Sequence, residues 1–301
     1  MYRDINKISA IVDDLHKEYY EKYGCTIFDI ETTRSDDDGI ILKGRCLTRK
    51  QLDLLKRRVD LFHESRITID VEVLSENPED ISPMGWGMAA SELVDIMKDY
   101  SLKKLSSQVT PDDGYFKIIL KNNGKCLILL RDKTMGWVLE KDVEHYDTGI
   151  SNDDKNFIVA KFDETIKVDS IAQLFCEAKK FVDNVSYLLG GRSQKGIDCS
   201  ALMQLIFQKG LDIIIPRHSS DQMKCGIRLS KKTVKSGDLL FAKLKESNIM
   251  HVGLVGIDDT TIIHSCLRAK RVISENIEDF YKYYSFARAR RIVEKKNNVL
   301  Y

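Results

Sequence analysis

Tyr187-Leu188-Leu189-Gly190-Gly191-Arg192-Ser193-Gln194-Lys195-Gly196-Ile197-Asp198-Cys199-Ser200-Ala201-Leu202-Met203-Gln204 carries a polar, glycine-punctuated loop directly into an apolar run. Leu202, Leu205 and Ile206 follow at helical spacing, and Gly210 reads as the stop of that helix. Asp198 and Ser200 are residue types that satisfy free N–H groups at a helix start. Cys199 then falls on the first turn, at the positive end of the macrodipole, where thiolate is favoured over thiol. A small buried thiol is the commoner role for a cysteine. The polar, glycine-rich approach to this one favours a nucleophile.

A thiol nucleophile needs a base nearby and a group to orient that base. Of the six histidines, two stand downstream on strand-like runs. His251 opens His251-Val252-Gly253-Leu254-Val255-Gly256, and His264 lies in Thr260-Thr261-Ile262-Ile263-His264-Ser265, with Asp258-Asp259 as the turn between them. A tight hairpin places such residues on one sheet face, so His251 is the expected base and His264 its partner. His16 and His63 sit among charged residues and read as solvated. The glycines of residues 190–196 are not a phosphate cradle, because no Gly-Lys-Ser/Thr follows.

Upstream, the chain divides. Ile8, Ile11, Val12, Leu15 and Tyr19 share one face of a helix from Ile5 to about Tyr23. Strand-like runs Thr26–Thr33 and Ile40–Leu47, a helix from Arg49 to about Phe62 capped by Thr48, and an alternating strand Ile67–Leu74 complete an α-β-β-α-β order. Ser75-Glu76-Asn77-Pro78-Glu79-Asp80-Ile81-Ser82-Pro83 reads as a linker. Strands are then expected at Tyr115–Leu120, Lys125–Arg131 and Gly136–Leu139, with Asn122-Asn123-Gly124 as a hairpin turn, and their close spacing suggests a small closed barrel. Trp86 and Trp137 suit core packing and a substrate groove equally. Gly149 to Ile166 reads as a connector, and a helix beginning at Ser170 leads back to the Tyr187 loop.

Composition narrows the function. A length of 301 residues allows two or three domains, and 43% hydrophobic residues suffice for real cores. A net charge of +1 provides no general field for nucleic acid or anionic lipid, so neither is an expected partner. Seven scattered cysteines without a Cys-x-x-Cys pair argue against a disulfide framework and a zinc knuckle, and nothing calls for a metal or cofactor. No apolar run resembles an export or membrane-spanning segment, so a cytoplasmic enzyme with free thiols is expected.

The motifs now add up to a family resemblance. Tyr187-x-x-Gly190-Gly191, Gly196-Ile197-Asp198-Cys199-Ser200, Pro216-Arg217-His218-Ser219-Ser220-Asp221-Gln222, Gly237-Asp238-Leu239-Leu240-Phe241, His251-Val252-Gly253 and Ile263-His264-Ser265 resemble, in order and spacing, the NlpC/p60 cysteine peptidases. Ser107-Gln108-Val109 and Gly136-Trp137-Val138 resemble a bacterial Src-homology-3-like domain. The α-β-β-α-β order gives a small α+β domain at 1–77, and the resemblances imply a Src-homology-3-like barrel at 84–148 and a papain-like peptidase domain at 166–301, an α+β chain in all. The peptidase resemblance implies Cys199 as nucleophile, His251 as general base and His264 as its orienting partner. It also implies hydrolysis of the γ-D-glutamyl–diamino acid bond of peptidoglycan stem peptides. In the branch with Src-homology-3-like domains a free N-terminal L-alanine is recognised, which would place the amine near Tyr187, Asp198 and Ser200, with Ser219 toward the glutamyl α-carboxylate and muropeptide recycling as the role. The alternatives are a remodelling hydrolase on intact wall and a papain-like amidase or acyltransferase on another amide or lipid. Leu189 stands where the family often has tryptophan, and His218 where it has a small polar or acidic residue.

Overall fold

The computed structural model describes residues 2–23, 28–36, 39–62, 66–75, 84–98, 100–146, 157–247 and 249–296. Residues 76–83 of the expected linker, residues 149–156 of the connector, and His63 lie outside them.

At the N-terminus the amphipathic helix α1 (Tyr2–Tyr23) buries Ile8, Val12, Leu15 and Tyr19 against a three-stranded sheet. Its strands Phe28–Arg34 and Ile40–Thr48 run antiparallel, and Ile67–Ser75 lies parallel to the second. A parallel neighbour requires a crossover, which α2 (Arg49–Val59) supplies. Thr48 and Gln51 cap α2 reciprocally, Thr48 Oγ1 accepting from the Gln51 N–H and Gln51 Oε1 from the Thr48 N–H. The helix ends at Val59, before the expected Phe62.

The middle region is one antiparallel series of seven strands, with Val143–Tyr146 at one edge and Leu105–Val109 at the other. Asn123 and Gly124 both take positive φ (45° and 71°), the type I′ turn that suits a two-residue hairpin. Among the described residues no ladder joins the two edges, so the expected closure is not made by backbone pairing. Trp137 is a core residue at 6% exposure, edge-on to Tyr100.

The C-terminal region packs helices on a six-stranded antiparallel sheet. Its strands run spatially as Ile227–Leu229, Tyr284–Arg291, Leu239–Leu244, Met250–Val255, Thr261–Cys266 and Arg271–Asn276. Helix α3 (Ala172–Phe181) packs on α4 (Cys199–Leu211), which lies against the strands that carry the two histidines. Every residue of α4 from Ser200 to Phe207 is buried. Gly210 does not stop α4. The helix continues to Leu211 and ends on Asp212 in the left-handed region (φ 55°). A Cβ at Gly210 would lie 3.1 Å from the Gln173 carbonyl oxygen, so the glycine serves the close approach of α3 and α4. The region also begins earlier than 166, because Ile158–Val159 pairs parallel with Ile213–Ile214. Two short helices, α5 (Ser219–Gln222) and α6 (Ile277–Tyr283), flank the sheet.

Candidate active site

The start of α4 builds one wall of the site. Asp198 is its N-cap in extended geometry, and Oδ1 accepts from the Ala201 N–H at 2.9 Å. Ser200 caps nothing; its hydroxyl donates to Asp198 Oδ1 at 3.0 Å. Arg217 closes on the same carboxylate as a fork, Nη1 to Oδ1 at 2.9 Å and Nη2 to Oδ2 at 2.6 Å. With the Gly190 N–H on Oδ2, five hydrogen bonds converge on Asp198. Burial alone would raise this carboxyl, but the charge and hydrogen bonds of Arg217 outweigh it and hold it below the usual range.

Asp198, the expected partner of a substrate ammonium, is already engaged within the protein. A carboxylate offers about four lone-pair directions, and these are taken. Its charge is matched by a guanidinium that is itself 3% exposed.

Cys199 sits just after the cap. Burial pushes its thiol up to about 12, the Asp198 charge adds to this, and contacts with the Val252 backbone and Arg217 oppose it. Burial and the neighbouring anion thus act against the thiolate that the helix terminus favours. His251 is also buried, and burial with the adjacent His264 holds its pKa well below 6.5. Burial thus favours the uncharged form of both partners.

The sheet brings the histidines together. Leu254 pairs with Ile263 and Val255 with Ile262, a register that sets Gly253 across from His264 and His251 on the diagonal. A side chain at Gly253 would meet Ile262 at 2.7 Å and the His264 Cβ at 3.1 Å, so the missing Cβ leaves His264 room to lean across. His251 Nε2 and His264 Nδ1 lie 2.7 Å apart. On its far side, His264 Nε2 is 2.9 Å from Glu275 Oε1, and Glu275 Oε2 accepts from Arg268 Nη2 at 2.9 Å. Tyr284 stacks on the His251 ring at 4.8 Å between centroids, with Phe280 behind it. Ser265, next to His264, donates to the Ile197 carbonyl at 2.7 Å and ties the histidine strand to the loop before Cys199.

Cys199 and His251 line one cleft with Tyr187, Asp198, Ser200 and Ser219, so every residue singled out for substrate binding borders it. Burial first, then Cys199 and Asp198, pushes the Tyr187 phenol up to about 12, which keeps it a neutral hydrogen-bonding group. His218 also borders the cleft, and its pKa is lowered by burial and by Arg217. Lys98, Leu105 and Ser106 of the middle region close the opposite side. Trp86 and Trp137 are not among the lining residues.

Sequence reasoning missed the residues that hold the site. Arg217 lay in a quoted motif without a role, and only the fold brings it onto Asp198. Its Nε donates to Ser107 Oγ of the middle region at 2.9 Å. Arg192 makes a second bridge, its guanidinium paired with both oxygens of Asp113 at 2.8 and 2.9 Å and its backbone N–H with Gln108 Oε1. Glu275 offered only the alternation of Arg271–Asn276 as a signal. Away from the cleft, Cys126, Glu140 and His145 bring potential ligand atoms within 4.8 Å of one another, with the Lys121 ammonium 3.7 Å from Glu140 Oε1.

Known proteins place this arrangement. Residues 184–291, which include Cys199, His251 and His264, match the model of the NlpC/P60 family. The probable endopeptidase NlpC of Escherichia coli K12 is 30% identical over 107 residues, 35% of this chain and 68% of that protein. A probable endopeptidase NlpC homolog of Haemophilus influenzae is 34% identical over 107 residues, 36% of this chain and 55% of its own. The γ-D-glutamyl-L-lysine dipeptidyl-peptidase of Bacillus subtilis is 38% identical over 94 residues, 31% of each chain. The chain belongs to the NlpC/P60 family. It spans little more than half the length of the Haemophilus influenzae relative, 55%, and 31% of the Bacillus subtilis one.

Proposed function

We propose that this protein is a cysteine endopeptidase that hydrolyses the γ-D-glutamyl–diamino acid bond of peptidoglycan stem peptides. The observation that carries the reading is a cysteine at a capped helix start sharing a cleft with a histidine whose far nitrogen is held by a second histidine. Nδ1 is the His251 nitrogen that His264 does not engage. It takes the thiol proton as the sulfur attacks the scissile carbonyl carbon. The Cys199 N–H, at the first helical position, donates to the oxyanion. Collapse of the tetrahedral species breaks the C–N bond, and His251 returns the proton to the leaving amine. Water then attacks the thioester, losing its proton to His251, and releases the acid and the free thiol.

The similarity to the γ-D-glutamyl-L-lysine dipeptidyl-peptidase of Bacillus subtilis supports the γ-D-glutamyl bond as the target. Tyr187, Ser200 and Ser219 are the proposed substrate contacts, and residues 84–148 are proposed to be a Src-homology-3-like unit that walls the cleft. A cytoplasmic recycling enzyme is the first substrate reading. The pairing of Asp198 with Arg217 favours a second, hydrolysis of stems still attached to wall, because it removes the anion that would select a free amine.

The test compares L-Ala-γ-D-Glu-diamino acid peptides, free and N-acetylated, with purified sacculi. Cys199→Ala is the control, expected to abolish cleavage of every form. Free peptides cleaved at least about tenfold faster than acetylated ones, equivalent to about 1.4 kcal/mol, support recycling. Equal rates with release from sacculi support wall remodelling. Cleavage that survives Cys199→Ala sinks the enzyme assignment.

A further inference from the structure

Glu275 lies one residue beyond the expected triad, yet it faces the second histidine directly. The Arg271–Asn276 strand pairs with Thr261–Cys266 so that His264 is opposite Ile273, and Glu275, two residues on, lies on the same face. Its Oε1 is 2.9 Å from His264 Nε2, and the His264 side chain is fully buried. We infer that Glu275 is a positioning residue that fixes the tautomers of both histidines and so leaves the base nitrogen of His251 free. The inference rests on the assignment of Cys199 and His251 as nucleophile and base.

The argument is one of donors and acceptors. An ionised carboxylate only accepts, so His264 Nε2 must carry the hydrogen in that 2.9 Å contact. In a neutral imidazole the other nitrogen is then a bare acceptor, so His264 Nδ1 has a lone pair facing His251 Nε2 at 2.7 Å. His251 must donate there, and its own neutral ring then carries no hydrogen on Nδ1. That lone pair is what a general base requires. Reversing the first contact reverses each later one: with Nδ1–H on His264, His251 Nε2 becomes the acceptor and Nδ1 carries the hydrogen.

The other groups around this line are few. Arg268 Nη2 bonds Glu275 Oε2 at 2.9 Å and keeps the carboxylate ionised and in place, and the two partners together hold its pKa below the usual range. Tyr284 and Phe280 pack on the His251 ring, Cys266 lies beside Tyr284 and Arg268, and Cys199 borders the same cleft. None of these contacts offers His264 Nε2 a second acceptor.

The test needs no peptidoglycan. In the full chain labelled with 15N-histidine, NMR at neutral pH should show a neutral His264 protonated at Nε2 and a neutral His251 also protonated at Nε2, with assignments from His264→Gln and His251→Gln. Glu275→Ala should mix the tautomers of both rings and slow alkylation of Cys199, read by mass spectrometry so that the exposed Cys176 is counted separately. A slowing of about tenfold is expected, the low end for loss of an outer partner of a catalytic histidine. Glu275→Gln keeps a carbonyl acceptor and should restore the rate to within about threefold of the parent. In peptide hydrolysis Glu275→Ala should lower kcat with little change in KM. A His264 protonated at Nδ1 or at both nitrogens in the parent would overturn the inference, as would tautomers and alkylation unmoved by Glu275→Ala. Equal losses in the Ala and Gln variants, with lowered urea midpoints and unchanged tautomers, would reduce Glu275 to a structural role. Should the parent cleave no stem peptide while the tautomers and alkylation respond as stated, the positioning role stands and the substrate proposal falls.

Discussion

Replacing Arg217 by methionine isolates the ion pair beside Cys199, the proposed nucleophile. The side chain keeps much of its length and loses its charge and its four hydrogen bonds, to both oxygens of Asp198, to Ser200 Oγ and to Ser107 Oγ. Asp198 then remains at 5% exposure with three neutral donors and no cation. Breaking a buried pair by deleting one member costs about 3–5 kcal/mol, because the remaining charge is left uncompensated. That is a large part of the stability of a typical domain. The loss has a definite pH dependence. In the parent, the Asp198 carboxyl is held below its unfolded value, so its stabilising contribution is full above about pH 3.9 and is lost as pH falls through the folded pKa. In the variant burial is opposed only by those three neutral donors, so the carboxyl rises relative to the parent. Its penalty is full near neutrality and fades as acid neutralises the group. Urea titrations followed by far-UV circular dichroism, at neutral pH and near pH 4, should show the deficit shrinking in acid. Asp198→Asn added to Arg217→Met should recover part of the neutral-pH loss. A deficit under about 1 kcal/mol, or one that grows in acid, would refute the claim that the guanidinium neutralises this carboxylate. If Arg217→Met does not fold, Ser107→Ala removes a single hydrogen bond to the charged group and should cost about 1.5–3 kcal/mol.

Further outcomes follow from the same geometry. Because His251, the proposed general base, is held well below 6.5 and would act in its neutral form, the acid limb of kcat/KM should lie below pH 6.5; a limb above that value, measured over a full pH series, would show that the ring is not desolvated as described. Gly253→Ala puts a methyl 3.1 Å from the His264 Cβ, so activity should drop by at least about tenfold while the fold persists, with circular dichroism as the control. Gly210→Ala removes a helical glycine, ordinarily a gain of about 1 kcal/mol. Here the added Cβ meets the Gln173 carbonyl at 3.1 Å, and urea denaturation should show a net loss of about 1–3 kcal/mol instead.

Periodicity and turn chemistry made much of this architecture legible. The Ile8–Val12–Leu15–Tyr19 face, the Thr48 cap and the Asn123-Gly124 turn all lie where local physics puts them. The Cys199 helix and the two-histidine hairpin were equally readable, because each is specified within a few residues. What escaped was non-local. Helix glycines are ambiguous in sequence: Gly210 looked like a terminator and is a contact point between helices. The electrostatics of Cys199 were only half legible, because a helix terminus is visible in one segment, whereas burial and the Arg217–Asp198 pair arise only on folding. Arg217 is 19 residues from Asp198 and 110 from Ser107, and no spacing rule joins positions so far apart. Short strands such as Gly85–Ala89 and Val94–Met97 take their state from ladders with distant partners, which propensity does not register.

The seam through Arg192 bears on how separable the parts of this chain are. Arg192 belongs to the loop before the nucleophile, and its guanidinium is 6% exposed against an Asp113 that is 8% exposed. Gln204, in the middle of the nucleophile helix, likewise donates to Asp132 at 2.6 Å. A chain begun at residue 157 would retain the whole triad and still lack both carboxylates. It would have to hydrate a cation that the intact protein keeps dry, at the foot of the loop that aims Cys199. Shuffling the catalytic region onto an unrelated neighbour thus needs a matching acid at two points. In this protein the cleft region is held in part by carboxylates and polar groups of the region before it.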